Sequence, residues 1–235
     1  MSEQIIVSEF ANPFAPALKE AAANPEPRCP SLLLLDVSTS MAGERIEQLL
    51  SGLRTYQQDL AADSIARKKV EVAVVTFGDG VHVAQDFVLA PQWEVPDLEA
   101  DGYTPMGEAI VTGLELLEHR KRFLRSGGLE MHRPWVFLIT DGAPTDRESP
   151  FWETARRMLL QGQKDGSFLF FAVGVEGANM DVLGELSQVV APMNLKGVKF
   201  RELFQWLSAS QKGVAASRPG DKLKLTLPTC IEIEC

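Results

Sequence analysis

The sequence contains few cysteines and few histidines. There are three of each in 235 residues, and the cysteines are Cys29, Cys230 and Cys235. This number is too small and too odd for a disulfide framework. The histidines are scattered, and no pair of cysteines or histidines has zinc-finger spacing apart from the loose Cys230/Cys235 pair. We therefore expect free thiols in a reducing compartment and no zinc site.

The chain also lacks a long apolar run. No stretch approaches the ~20 consecutive apolar residues that a membrane-spanning helix requires. Residues 1–28 contain no basic start followed by an apolar block, so they do not have the pattern of a signal peptide. These absences predict a soluble, cytoplasmic protein without a membrane partner.

Positive charge is scarce as well. Lysine and arginine number 23 against 32 aspartates and glutamates, which gives a formal net charge of -9. Because binding to phosphate backbones requires a positive field, this balance argues against nucleic acid as the principal partner. The basic run "HRKRFLR" at 119–125 lies near the end of a predicted helix, where the helix dipole stabilises cations, and is interpreted as a solvated helix end.

The apolar segments that are present predict buried strands separated by helices. Four segments are continuous rather than alternating, as expected for strands covered on both faces. They are "SLLLLD" (31–36), "VEVAVVTF" (70–77), "WVFLITD" (135–141) and "SFLFFAVGV" (167–175). Apolar residues recur at helical spacing between and after them. The four predicted stripes are Ile46, Leu49, Leu50, Leu53 and Leu60; Met106, Ile110, Leu114 and Leu117; Phe151, Ala155, Met158 and Leu159; and Phe200, Leu203, Phe204 and Leu207.

This alternation predicts a doubly wound α/β fold, with a mostly parallel sheet and helices on both faces. A Gly-Asp-Gly turn predicts a hairpin that adds one antiparallel edge strand at residues 81–88. We expect a loosely attached amino-terminal arm at 1–27, a single main domain at 28–217, and a carboxy-terminal tail at 218–235. The alternating tail "KLKLTLPTCIEIEC" predicts a short added strand or, alternatively, a partner-binding strand.

Carboxylates end two of the predicted strands. Asp36 ends the first and Asp141 the third, and ligands of open α/β sheets bind beyond the carboxyl ends of the strands. Ser38 and Ser40 follow Asp36 at two-residue spacing, so three oxygen-bearing side chains can converge there. Such ligands, without cysteine or histidine, indicate a hard divalent cation: magnesium, or alternatively manganese or calcium.

Two further segments can contribute to this site. Thr104 precedes Pro105, a favoured first helical residue, so its hydroxyl either caps that helix or joins the oxygen cluster. Thr145 and Asp146 in "GAPTD" either lie at the rim of the site or form the turn and cap of the helix that follows.

The segments "DVSTS" (36–40), "GYTPMGEAI" (102–110) and "TDG" (140–142) resemble the metal-ion-dependent adhesion site of the von Willebrand factor A domain family. The resemblance extends over about residues 28–210. It implies one divalent cation, bound directly by Ser38 and Ser40, by Thr104 in the ligand-bound state, and through water by Asp36 and Asp141. It further implies that an acidic residue of a partner protein completes the metal shell, in a binding function without catalysis.

Longer segments, among them "RPWVFLITDGAPTD" and "FRELFQWLSAS", resemble the bacterial TerY-like subfamily associated with tellurium resistance. Its members typically accompany a kinase-like and a phosphatase-like protein, which implies an adaptor in a stress-resistance phospho-signalling system. The sequence departs from this pattern at Thr39, where many relatives carry glycine. Because a β-branched residue restricts the loop backbone, Thr39 predicts altered metal geometry or reduced affinity.

The main alternative is a metal-dependent phosphohydrolase or phosphotransferase with Asp36 as nucleophile. Such enzymes usually place a second aspartate two residues later as the acid/base, and Ser38 stands there. The sequence also lacks a GxxxxGK[ST] phosphate loop, an HExxH motif and a GxSxG nucleophile elbow. A structural scaffold with a vestigial metal site is a third alternative, and we favour protein binding over both.

Overall fold

The computed structural model describes residues 14–197, 199–226, 228 and 230–233. Within these residues, seven strands form one sheet in the order β3-β2-β1-β4-β5-β6-β7. The strands are β1 (Cys29–Asp36), β2 (Val70–Phe77), β3 (Val81–Leu89), β4 (Trp135–Thr140), β5 (Leu169–Gly174), β6 (Met193–Leu195) and β7 (Ile231–Ile233).

Helices cover both faces of this sheet. They are α1 (Ala15–Ala23), α2 (Glu44–Ala62), α3 (Ala66–Lys69), α4 (Met106–Ser126), α5 (Pro150–Lys164), α6 (Met180–Leu186) and α7 (Phe200–Ala216). Short 3₁₀ turns lie at Thr39–Met41 and Ala90–Gln92. In the described part of the chain, no helix is both long enough and apolar enough to cross a membrane. The predicted doubly wound α/β fold is confirmed.

The central strand β1 explains the run of four leucines. It pairs in parallel with β2 on one side and β4 on the other. Leu33 and Leu35 pack in the core layer under α2 and α7, whereas Leu32 and Leu34 pack in the opposite layer under α4 and α5. Because both faces are covered, all four side chains are fully buried and the strand carries no alternating polar residues.

Antiparallel strands lie at both edges. β3 pairs antiparallel with β2, as the hairpin predicted, and β7 pairs antiparallel with β6 at the opposite edge. The three-residue strand β6 and the short helix α6 were not predicted, because segments of this length show little periodicity. Cys230 is a buried free thiol beside β7, and Cys235 lies outside the described residues.

The amino-terminal segment carries helix α1, which was not predicted. Residues 1–13 lie outside the described part of the chain. Arg28 is fully buried and its Nε lies 3.0 Å from Glu71 Oε1. Arg120 on α4 contacts Glu71 at 2.6 Å and Glu20 of α1 at 2.5 Å. The loose attachment expected for the arm is therefore wrong for residues 14–27, because these ion pairs join groups distant in the sequence.

Helix α5 matches its predicted stripe at Ala155 and Leu159 but not at Phe151. Trp152, Ala155 and Leu159 face the core, whereas Phe151 is 44% exposed. Phe151 and Trp152 are adjacent aromatic residues, and either of them has helical spacing to Ala155 and Leu159. Packing against α4 determines that Trp152 is the buried one, and the helices are so close that a side chain on Gly107 would lie 2.9 Å from the Trp152 backbone.

Candidate metal centre

Asp36 lies at the carboxyl end of β1, where the crossovers through α2 and α4 leave toward opposite faces of the sheet. Its side chain is fully buried and both of its oxygens accept hydrogen bonds. Oδ1 accepts from the Ser38 backbone N–H at 2.8 Å, and Oδ2 accepts from Thr140 Oγ1 at 2.5 Å. Thr140 is the last residue of the neighbouring strand β4. The carboxylate is therefore held at the end of the sheet where ligands of such folds bind.

The two serines connect this strand end to Asp141. Ser38 Oγ and Ser40 Oγ lie 3.0 Å apart, and Ser40 Oγ donates to Asp141 Oδ1 at 2.7 Å. Ser40 and Asp141 are 101 positions apart in the sequence. The fold therefore brings four of the five predicted ligands, Asp36, Ser38, Ser40 and Asp141, into one hydrogen-bonded cluster of oxygens.

The electrostatics of this cluster favour a cation. Burial raises the pKa of Asp36 above its ordinary value, hydrogen bonds from Ser38 and Thr140 partly oppose this, and the negative charge of Asp141 raises the pKa further. Two carboxylates that share a buried site repel each other when both are ionised. A divalent cation between them would relieve that repulsion.

Thr104 is positioned by the loop that precedes α5. Its backbone N–H donates to Thr145 Oγ1 at 3.2 Å, and its carbonyl accepts from the Thr145 N–H at 2.9 Å. Helix α4 begins at Met106, after Pro105. Neither the Thr104 nor the Pro105 side chain forms a cap hydrogen bond to this helix. The alternative in which Thr104 caps α4 is therefore wrong.

Asp146 supplies that cap from outside the helix. Its Oδ1 accepts from the Gly107 N–H at 3.2 Å and its Oδ2 from the Glu108 N–H at 3.0 Å. Thr145 and Asp146 thus have turn and cap roles. They serve the Thr104 loop and α4 rather than α5, whose N-cap is Ser149. Together they attach the Thr104 segment to the loop that follows Asp141.

Gly142 leaves a small space beside these groups. A Cβ added to Gly142 would lie 3.3 Å from Thr104 Oγ1 and 3.9 Å from Asp36 Oδ2. The Thr104 hydroxyl and the Asp36 carboxylate therefore border the same space, which a side chain at position 142 would fill. This places Thr104, the fifth predicted ligand, near Asp36.

Thr39 fits its loop without backbone strain. Among the described residues, only glycines have positive φ, so position 39 does not require glycine. The Thr39 N–H and Oγ1 both donate to the Gly102 carbonyl, at 3.2 and 3.1 Å. Gly102 itself has a φ of 78°, and a Cβ there would lie 2.4 Å from the Asp79 backbone. Thr39 therefore links the first site loop to the loop that carries Thr104.

Arg45, in the first turn of α2, adds a positive charge to the centre. Its Nη1 forms a short ion pair with Asp141 Oδ2 and also donates to the Ser40 carbonyl at 3.0 Å. Its Nη2 donates to the Glu176 carbonyl at 3.0 Å. The arginine contacts come from three separate chain segments. They were not predicted from the sequence, which shows only a basic residue at a helix start.

The donor set fits a hard cation. The five predicted ligands offer three hydroxyl and two carboxylate groups, the oxygen ligands that magnesium, manganese and calcium prefer. In the described part of the chain, no three side chains of His, Cys, Asp or Glu come together as metal ligands. Thr140, whose hydroxyl donates a hydrogen bond to Asp36, is a second residue of the candidate site that was not predicted. The hydroxyl immediately before Asp141 on a neighbouring strand was the available signal.

Comparison with known families identifies a matching domain family. The model described as the von Willebrand factor type A domain matches residues 32–203. Inter-alpha-trypsin inhibitor heavy chain H6 from Homo sapiens is 26% identical over 124 residues, which cover 48% of this chain and 9% of that protein. The chain thus spans less than a tenth of the length of this curated relative.

Solved structures share the fold at low sequence identity. Proximal thread matrix protein 1 from the mussel byssus aligns with a TM-score of 0.54 and 17% identity, over 82% of this chain and 47% of that chain. The vWF domain of the type V pili tip protein Mfa5 from Porphyromonas gingivalis aligns with a TM-score of 0.57 and 9% identity, over 84% of this chain and 99% of that one. At these identities the likeness concerns the fold alone.

Proposed function

Because the chain belongs to the von Willebrand factor type A domain family, we propose that it is a protein-binding domain that depends on a divalent cation. Domains of this family often bind a metal ion at the corresponding site and mediate protein interactions. The observation that carries the proposal is the hydrogen bond from Ser40 to Asp141, 2.7 Å long, beside the buried carboxylate of Asp36. The ligands that we assign are Asp36, Ser38, Ser40, Thr104 and Asp141.

The proposed division of roles follows from charge and position. Ser38 and Ser40 offer neutral oxygens, Thr104 offers a third from across the space beside Gly142, and the two aspartates supply negative charge. Magnesium prefers near-octahedral oxygen geometry and is our first candidate, before manganese and calcium. When few carboxylates contact the ion directly, the bound ion keeps enough positive charge to attract an acidic side chain of a partner.

The environment of Asp36 favours binding over catalysis. A nucleophilic carboxylate needs an oxygen that can reach the substrate, whereas Asp36 is fully buried and both of its oxygens accept hydrogen bonds. Position 38, where an acid/base would stand, is a serine. Turnover of a phosphoester that Asp36→Asn abolishes would favour the enzymatic alternative instead.

Calorimetric titration with manganese tests the metal site. We expect Ser40→Ala and Thr104→Ala to weaken manganese binding at least tenfold, about 1.4 kcal/mol, because each removes an assigned oxygen ligand. Thr55→Ala is the control, since Thr55 lies on α2 and donates to the Ser51 carbonyl away from the site. Circular dichroism checks that the variants are folded. Absence of manganese binding to the wild-type protein at millimolar concentration would contradict the proposal.

For the biological role, we propose a cytoplasmic adaptor of the bacterial tellurium-resistance type, with residues 28–217 as the binding unit. The support is the resemblance of "RPWVFLITDGAPTD" and "FRELFQWLSAS" to TerY-like proteins. The proposed partners are the kinase-like and phosphatase-like proteins of the same system, contacted through an acidic residue. Co-purification of these two proteins from the native host, with and without chelator, is the test. Equal retention in chelator would contradict metal-dependent recognition.

A further inference from the structure

Arg45 is held at the proposed metal centre by more than its ion pair. Apart from Asp141, its guanidinium donates to the backbone carbonyls of Ser40 and Glu176, both at 3.0 Å. Neither bond depends on the Asp141 carboxylate. These two bonds would therefore hold the guanidinium beside the centre if Asp141 turned toward a cation.

The side chain of Arg45 also reaches the surface. It is 32% exposed, whereas the Asp141 side chain beneath it is fully buried. A guanidinium carries five N–H donors in a planar arrangement that matches a carboxylate, and the described contacts use three of them. A ligand that approaches the centre from solvent would meet this cation.

The formal charge of the centre depends on Arg45. With both aspartates ionised, Asp36, Asp141 and Arg45 together carry minus one, and a divalent cation brings the sum to plus one. Without Arg45, the centre with its cation bound would be neutral. Arg45 thus gives the cation-bound centre a net charge of plus one, which is complementary to a single carboxylate. The same arginine repels the incoming metal ion and competes with it for Asp141.

We propose that Arg45 is a ligand-binding residue that weakens cation binding and strengthens the capture of the partner's carboxylate. The inference rests on the proposed function, because it assigns Arg45 as the second cation at the same site. It specifies the partner group as a monoanionic carboxylate, which would be attracted by both the cation and the Arg45 guanidinium.

Two titrations of Arg45→Gln test this pair of opposing effects. Manganese alone is the first probe, and we expect at least fivefold tighter binding than in the wild-type protein. Acetate added to the manganese-loaded protein is the second, followed by water-proton relaxation as acetate displaces water from the ion. We expect at least fivefold weaker acetate binding, with acetamide as the uncharged comparison.

Arg147→Gln is the matched control. Arg147 donates to both oxygens of Glu185, at 2.5 and 2.7 Å, and lies over the Trp152 ring, without a described contact to the centre. We expect both affinities to remain within twofold of wild type in this variant. Arg45→Lys, which keeps the charge, should lie closer to wild type than Arg45→Gln in both titrations, and it also serves if Arg45→Gln does not fold.

Each outcome is decisive. Tighter manganese binding together with weaker acetate binding in Arg45→Gln supports the proposal. Unchanged affinities, or a change of both in the same direction, overturn it while leaving the metal site intact. If the wild-type protein binds no manganese, the proposed function itself fails and the inference fails with it.

Discussion

Thr140 Oγ1 donates a 2.5 Å hydrogen bond to Asp36 Oδ2 across the two central strands of the sheet. The bond joins residues 104 positions apart and satisfies the one oxygen of Asp36 that the local "DVS" turn does not reach. Strand pairing between β1 and β4 thereby determines the orientation of a buried carboxylate.

We expect Thr140→Val to destabilise the protein. The substitution keeps the shape but leaves Asp36 Oδ2 without its donor, and an unpaired buried acceptor costs about 1–3 kcal/mol. Urea denaturation measures the free energy of unfolding. Thr55→Val, at a partly exposed position on α2, is the control, and equal losses in the two variants would show that the bond to Asp36 contributes nothing specific.

We expect Gly142→Ala to weaken manganese binding by about tenfold or more, equivalent to roughly 1.4 kcal/mol. The added Cβ would enter the space bordered by Thr104 Oγ1 and Asp36 Oδ2. Calorimetry measures the affinity. Gly213→Ala on α7 is the control, because a Cβ there meets nothing within 4 Å. If Gly142→Ala binds manganese as tightly as the wild type, the cation does not occupy this space.

We expect Asp146→Ala to destabilise the protein by about 1–2 kcal/mol, since it removes the cap of two backbone N–H groups at the start of α4. The free energy of unfolding from denaturant titration is the measurement. Asp146→Asn keeps an acceptor oxygen and should lose less. Similar losses in the two variants would show that the carboxylate acts through charge rather than through the hydrogen-bonded cap.

Thr39→Gly tests the loop position that departs from the TerY-like pattern. We expect a loss of about 1 kcal/mol in stability, because the bond from Thr39 Oγ1 to Gly102 disappears and glycine adds backbone freedom to the unfolded chain. We expect no gain in manganese affinity, since Thr39 adopts its conformation without positive φ. Tighter binding in the glycine variant would show instead that threonine restricts the metal site.

Stability should fall as the pH is lowered through the ordinary range of histidine because of His132. Burial lowers the pKa of His132 below 6.5, and the positive charge of Lys69 lowers it further, whereas Asp221 and Glu130 oppose this. The unfolded chain therefore binds a proton at a higher pH than the folded one. The stability contributed by neutral His132 is complete above pH 6.5 and is lost as the pH falls below it.

The test compares unfolding free energies at pH 7.5 and 5.5. His132→Gln should show a smaller decrease between these values than the wild type. His82→Gln, at an exposed position beside Asp79, controls for the loss of a histidine elsewhere. An identical pH dependence in wild type and His132→Gln would contradict the prediction.

The sequence by itself determined the fold class and indicated the residues of the candidate site. Continuous apolar runs such as 31–36 predict strands covered on both faces, because a strand with no solvent face has no polar alternation. Asp36 and Asp141 follow directly from this, since they end such strands and the carboxyl ends of parallel strands meet at one edge. Their assignment as metal ligands remains a prediction, as do the assignments of Ser38, Ser40 and Thr104.

Only the tertiary structure decided which side chains contact the predicted ligands. The bond from Thr140 to Asp36, the cap that Asp146 provides to α4 and the ion pair from Arg45 to Asp141 join segments 38 to 104 positions apart. Local periodicity and turn chemistry report on neighbours along the chain, whereas these contacts depend on strand register and on how helices pack. For the same reason, the tertiary structure alone decided that Trp152 rather than Phe151 is buried in α5 and that Arg120 joins α1 to α4 through Glu20.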